Sequence, residues 1–304
     1  MLNFMRKRLG RFTALFAGFA LASCAAQTAQ APTATVAAAR PALWRLSDAD
    51  TTIYLFGTIH ALPEGAQWRT PALDQAMAAS DELVTEINLT DMNAAAGAFM
   101  RLAPGTNLPP VIERVPEAKR AALTNALAGT GLPAAALDRF KTWAVGVTLA
   151  QVLFQRAGLN PELGVERSLT ANFTARGKTL SGLETAEQQF GFFDSLPETA
   201  QRAFLEGVLE SPEQVRTEFN RMLGAWSSGD TRAIGRTFNS DTSMSADLRQ
   251  ILLTQRNTRW AAWLQNRLGR SGTVFVAVGA GHLAGPESVQ HFLEQRGLRV
   301  QRVQ

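Results

Sequence analysis

Three histidines occur in the 304 residues, and two of them repeat one local pattern. Tyr54-Leu55-Phe56 leads into Gly57-Thr58-Ile59-His60, and Val276-Ala277-Val278 leads into Gly279-Ala280-Gly281-His282. In both, an apolar run of strand character is followed by Gly-x-x-His. Glycine lets the chain turn off a strand without a Cβ clash. Each imidazole is then expected to project over the carboxyl edge of a sheet, where open α/β folds bind ligands. Carboxylates stand at two further strand ends, in Val84-Thr85-Glu86 and in Gly182-Leu183-Glu184-Thr185. Two imidazoles with one or two carboxylates make a donor set for Zn, Mn or Fe. The same groups also make a general-base set that needs no metal, with His60 or His282 acting beside Glu86 or Glu184. Arg256, ahead of Trp260 on a helix leading into the second histidine strand, can clamp an anion or orient a carboxylate. His291 falls inside the last helix and reads as a surface or packing residue.

The elements that must position these groups follow from periodicity and punctuation. Leu43–Leu46 and Thr52–Phe56 flank Ser47-Asp48-Ala49-Asp50, a hairpin signal. A helix is expected from Leu73 to Ala79 and a strand over Leu83–Ile87. Helices follow from Asn93 to about Lys178, broken at Leu108-Pro109-Pro110 and Gly129–Pro133. Thr179–Leu183 reads as a strand, and helical pattern resumes from Ala186 to Leu268. Thr273–Val278, an unbroken β-branched and aromatic run, reads as a buried strand. A helix over Pro286–Arg296, stopped by Gly297, and a last strand over Leu298–Val303 complete the chain. The fold class is α/β. A central mixed sheet takes strands from both chain ends and surrounds a large, mainly helical insertion.

Composition narrows the function classes. Hydrophobic residues are 46% and charged residues 18%, which excludes disorder over most of the length. The formal charge of +4 lies wholly in residues 1–23, which hold Arg6, Lys7, Arg8 and Arg11 and no acid. The rest is formally neutral, so a basic field for nucleic acid is absent. The charged segment and the short apolar run Phe12–Ala22 form a signal peptide, too short to span a bilayer. The run ends in Leu21-Ala22-Ser23-Cys24, which resembles a bacterial lipobox. Cys24 is therefore expected to be acylated and to become the first mature residue, with two or three acyl chains anchoring it stably. Ala25 after the cysteine implies sorting to the outer membrane, with the protein facing the periplasm. Residues 24–42, rich in Ala, Thr, Gln and Pro, read as a flexible tether, and residues 43–304 as one domain. Gly279-Ala280-Gly281 with Gly285 misses the dinucleotide fingerprint by one residue of spacing. No Gly-x-Ser-x-Gly elbow, phosphate-binding Walker loop or His-Glu-x-x-His is present.

Several segments together resemble the TraB/GumN family. They are Trp44-Arg45-Leu46, Tyr54 to His60, Glu86-Ile87-Asn88, Lys141-Thr142-Trp143, Gly164-Val165-Glu166, Gly182 to Thr185, Arg256-Asn257 with Trp260, and Val278 to His282. Order and spacing are kept over about residues 43–303. The resemblance implies kinship with the Tiki metalloproteases, and more distantly with erythromycin-esterase-like and ChaN-like proteins. It implies a metal-dependent, peptidase-like hydrolase with His60, His282 and Glu86 as ligands of a divalent ion, Mn, Co or Zn. One of Glu86 and Glu184 would ligate and the other accept a proton from water. Arg256 would stabilise the oxyanion or bind a substrate carboxylate. Two departures stand out. The family often has Pro where Thr142 stands and Asp where Glu166 stands, and both are expected to concern the helical region and not the histidines. A metal-free esterase-like hydrolase acting on a peptide or small molecule, and a non-catalytic lipoprotein of envelope or polysaccharide assembly, remain as alternatives.

Overall fold

A computed structural model describes residues 39–239 and 246–304. The expected signal peptide, Cys24 and most of the expected tether lie outside the described residues. Strand β1 (Leu43–Ser47) and strand β2 (Thr51–Thr58) form the expected antiparallel hairpin, with Leu43 beside Phe56. The Asp48 carboxylate closes its turn by accepting from the backbone N–H of Asp50 and Thr51. Strands β3 (Glu82–Ile87), β4 (Thr179–Glu184), β5 (Gly272–Gly279) and β6 (Gln301–Arg302) complete a six-stranded sheet of order β4-β3-β5-β2-β1-β6. β4, β3, β5 and β2 are mutually parallel, whereas β1 is antiparallel to both its neighbours. The sheet is thus mixed and takes strands from both ends of the chain. The helical insertion is itself divided by β4, which forms one edge.

The two carboxyl ends that matter most lie side by side. β2 and β5 pair in register, with Gly57 beside Val278 and Thr58 beside Gly279. Val274, Val276 and Val278 on β5 join Ile53 and Leu55 of β2 in one core, against Trp260 and Leu264. Phe275 and Ala277 join Phe56 on the opposite face, against Phe173 and Trp226. Both faces of the sheet are therefore buried, which is why β5 reads as a continuous apolar run. A third core is purely helical and is built around Trp143. It ties helix Thr142–Arg156 to helices Ala186–Asp194 and Glu198–Gly207. Lys141 and the Trp143 indole both donate to Asp194, and the Thr142 hydroxyl donates to Glu198. Thr142 thus belongs to the helical region, as expected.

Two C-terminal boundaries differ from expectation. The last strand is only Gln301–Arg302, not Leu298–Val303, because Leu298 and Val300 pack against the sheet's core, and Val303 and Gln304 meet β1 only at Leu43. The last helix is Val289–Gln295, not Pro286–Arg296. Its start is set by Ser288, whose hydroxyl accepts from the His291 N–H, and Pro286 stays in the preceding turn. His291 bonds Gln295 on that helix, apart from the other two histidines. No helix among the described residues is long and apolar enough to cross a membrane.

Candidate functional site

His60 lies two residues past β2, and its loop is pinned from outside. The Val165 N–H donates to the Ile59 carbonyl at 3.0 Å. Gly164 permits this contact, since a Cβ there would collide with the His60 carbonyl oxygen. The docking brings the first turn of helix Val165–Ala175 beside the imidazole. His60 Nδ1 donates to Glu166 Oε1 at 2.5 Å, and the Thr58 hydroxyl donates to the same oxygen. Nε2 makes no hydrogen bond to the described residues. It lies 3.3 Å from where a Gly279 Cβ would stand, and Glu86 Oε1 lies 3.1 Å from that same point. His60 and Glu86 thus converge on the space that Gly279 leaves empty. Together with Glu166 and Thr85 they line an open cleft.

Beneath the cleft is a buried cluster centred on Arg256. Its Nη2 donates to Glu86 Oε2 at 2.6 Å and to Glu184 Oε2 at 2.8 Å. Its Nε reaches both Glu184 oxygens at 3.1 Å. Its Nη1 donates to the Leu252 carbonyl at 3.3 Å and meets His282 Nε2 at 3.2 Å. Leu252 belongs to a π-helical turn, Gln250–Thr254, that runs directly into helix Gln255–Leu268. Gln189 bridges Glu86 and Glu184, the Trp260 indole donates to Glu184, and the Gly279 N–H donates to Glu86 at 2.8 Å. The Arg256 guanidinium also lies over the Trp260 ring, 4.7 Å from its centroid. Asn257 fixes the second histidine. Its amide nitrogen donates to the Glu287 carbonyl, so its oxygen accepts from His282 Nδ1 at 2.6 Å. His282 is then the neutral Nδ1–H tautomer, with the Nε2 lone pair towards Arg256.

Each charge state has a physical cause. Burial opposes a charge on His60, but the adjoining Glu166 carboxylate, its hydrogen bond and nearby Glu86 outweigh this and raise the imidazole to about 9. Burial opposes the Glu86 anion too, yet Arg256 and then the two histidines hold its carboxyl far below the usual range. Glu166, buried against His60, is likewise lowered. Burial dominates at His282 and lowers it to about 3, so this imidazole stays uncharged.

The structure therefore brings His60, Glu86, Glu184, Arg256 and His282 together, although the two histidines lie at opposite ends of the chain. They form two layers. His60 and Glu86 reach the cleft, whereas Glu184, Arg256 and His282 are not part of its lining. All three guanidinium nitrogens of Arg256 are committed to protein acceptors, which leaves no N–H for an oxyanion or a substrate carboxylate. With Arg256 in place, the residues do not fit a divalent ion. The His282 lone pair and both carboxylates already accept from a buried cation. Among the described residues, no group of three or more His, Cys, Asp or Glu is arranged to hold one.

The expectation for Glu166 is overturned as well. Glu166 does touch a histidine, because the docked start of its helix carries it to His60, so the departure at this position concerns the chemistry. Gln189 and Asn257 are the other residues missed as site members. Asn257 adjoins Arg256 in sequence. Nothing local to Gln189 or Glu166 points to a partner about a hundred positions away.

A mixed sheet with a histidine–carboxylate cleft over a buried arginine cluster, both at its carboxyl edge, defines the class of protein. The chain belongs to the TraB/PrgY/gumN family, whose model matches residues 42–302. A protein of Treponema pallidum (strain Nichols), described as an uncharacterized protein, is 22% identical over 272 residues, covering 84% of this chain and 80% of that protein. No solved structure matches the chain.

Proposed function

We propose that the protein is a hydrolase of esters or amides in which His60, oriented by Glu166, takes a proton from a water in the cleft and returns it to the leaving group. One observation carries the reading: a single imidazole has Nδ1 on a buried carboxylate and Nε2 turned to an open cleft. A base held in this way has its tautomer fixed and its imidazolium stabilised as the proton moves. Thr85, the hydroxyl at the cleft, donates to the Ile87 carbonyl at 2.6 Å, so water is left as the nucleophile. Glu86, held ionised by Arg256, adds a second negative charge facing the imidazolium.

The reading has a pH signature. Neutral His60 is the active form, and its population rises until the pH passes about 9. Hydrolysis should therefore climb with pH to that value and then level off. The test is initial rates on aryl esters and short peptides between about pH 6 and 10, for wild type and His60→Gln. A wild type that nowhere exceeds His60→Gln would refute the proposal.

A metal-dependent form of the same hydrolysis is a second reading. It is favoured by the grip of Asn257 on His282 Nδ1, since ligating imidazoles are oriented through their other nitrogen in this way. It requires Arg256 to yield its place, and elemental analysis of protein purified without chelator decides it. We also place the protein at the periplasmic face of the outer membrane, tethered through an acylated Cys24.

A further inference from the structure

The charges at the cleft are unevenly satisfied. Glu166 is matched by His60, and Glu86 by Arg256 beneath it. Arg167, also in the lining, has only one ion-pair partner among the described residues. Its Nη2 meets Glu162 Oε1 at 3.2 Å, and that carboxylate is 56% exposed against 27% for Arg167. A single solvent-screened contact of this kind is weak and easily exchanged. The cleft therefore presents one cation whose present partner can be displaced. Ile87, Leu89 and Pro161 line the same cleft and give it an apolar wall.

We propose that Arg167 is the specificity residue of the cleft and receives a carboxylate of the substrate. A guanidinium fork matches a carboxylate in two parallel hydrogen bonds. The carboxylate it already holds, that of Glu162, would be replaced like for like. Arg167 lines the same cleft as His60 and Glu166, so the bound carboxylate shares that cleft with the reacting bond. With the apolar wall alongside, the substrate class is an ester or amide of a small apolar residue bearing a free carboxylate, as at the C-terminus of a peptide. The position of the cleaved bond rests on the hydrolase reading, whereas the carboxylate subsite does not.

The test separates the two. N-acetyl-leucine and N-acetyl-leucinamide differ only at the terminal group, and their binding to the full chain is measured by calorimetry. The acid is expected to bind about tenfold more tightly than the amide to wild type. The preference is expected to vanish in Arg167→Met, which keeps the apolar stem, and to survive in part in Arg167→Lys. His60→Gln should keep the preference, because it removes the base and not the subsite. Melting curves of both Arg167 variants are expected to match wild type, since the side chain is 27% exposed. Equal binding of acid and amide to wild type, failure of both to bind, or an unchanged preference in Arg167→Met overturns the subsite. A clear acid preference in a protein that hydrolyses nothing refutes the hydrolase reading alone, and hydrolysis without that preference refutes the subsite alone.

Discussion

Glu166 decides the behaviour of His60. Burial opposes the charge on the imidazole, and the carboxylate is the largest influence that raises it to about 9. Glu166→Gln should therefore move the rising limb of the pH–rate profile to lower pH. It should also lower the limiting rate by roughly 10²–10⁴-fold, since the tautomer is no longer enforced. A profile that keeps its limb near pH 9 would show that Glu166 does not set the base. The two histidines should also shape stability in opposite directions. Folded His60 keeps its proton to about pH 9 against an ordinary 6.5, so its contribution is complete below 6.5 and lost as pH rises through 9. Folded His282 stays neutral to about pH 3 while the unfolded chain binds a proton below 6.5, so stability is lost as pH falls from 6.5 towards 3. Glu86 and Glu166, both lowered, act in the same direction on the acid side, below their ordinary value of 4.5. Chemical denaturation across pH should show greatest stability near neutrality. His60→Gln should flatten the alkaline flank, by on the order of 1–3 kcal/mol. An alkaline flank unchanged in that variant would contradict the ion pair.

At the scale of elements, the site depends on two parallel strand ends held in register and on one helix start docked against them. Gly279 shows how tightly they meet. Its backbone dihedrals, φ −49° and ψ 135°, suit any residue, so glycine is not required there for conformation. What it supplies is space, because an added Cβ would stand 3.1 Å from Glu86 Oε1 and 3.3 Å from His60 Nε2. Gly279→Ala should fold with a melting temperature within a few degrees of wild type, about 1 kcal/mol or less. It should nonetheless lose activity by roughly tenfold or more, because small misplacements at a reacting group are costly. Wild-type rates in this variant would mean that the chemistry does not occur between His60 and Glu86. Helix Gln255–Leu268 does the complementary work. Arg256, Asn257 and Trp260 share its inner face and reach Glu86 and Glu184, His282, and Glu184 in turn. One element thereby braces both carboxylate strands and the second histidine.

At the scale of the whole molecule, the proposed tether separates anchoring from chemistry. If Cys24 is the acylated first residue, labelled palmitate should mark the wild type and not Cys24→Ser, and the variant should leave the membrane fraction with its hydrolytic rate unchanged. Equal labelling of both would remove the lipoprotein assignment. Residues 39–42 run straight into β1, and the Arg40 N–H donates to the Ser227 carbonyl at 2.7 Å. The described part of the chain thus begins held to the end of helix Pro212–Ser227.

Sequence alone determined the elements whose signals are local. The hairpin turn at Asp48, the apolar run of β5 and the glycines before His60 and His282 act within a few residues of themselves, so composition and spacing reveal them. It also determined that both histidines leave strand ends of one kind, and strands buried on both faces allow few arrangements other than neighbouring parallel pairs. Tertiary structure alone decided the partners. That Glu166 meets His60, that Gln189 bridges Glu86 and Glu184, and that Arg256 takes the place between the carboxylates and His282 all follow from how helices dock on the sheet. The same docking decided the division of labour, with His60 and Glu86 at the cleft and Arg256 beneath it. The contacts of Arg256 with Glu184 and Glu86 join residues 72 and 170 positions apart. At such separations no periodicity survives to mark them, and only the packing of buried charge against buried charge selects which residues meet.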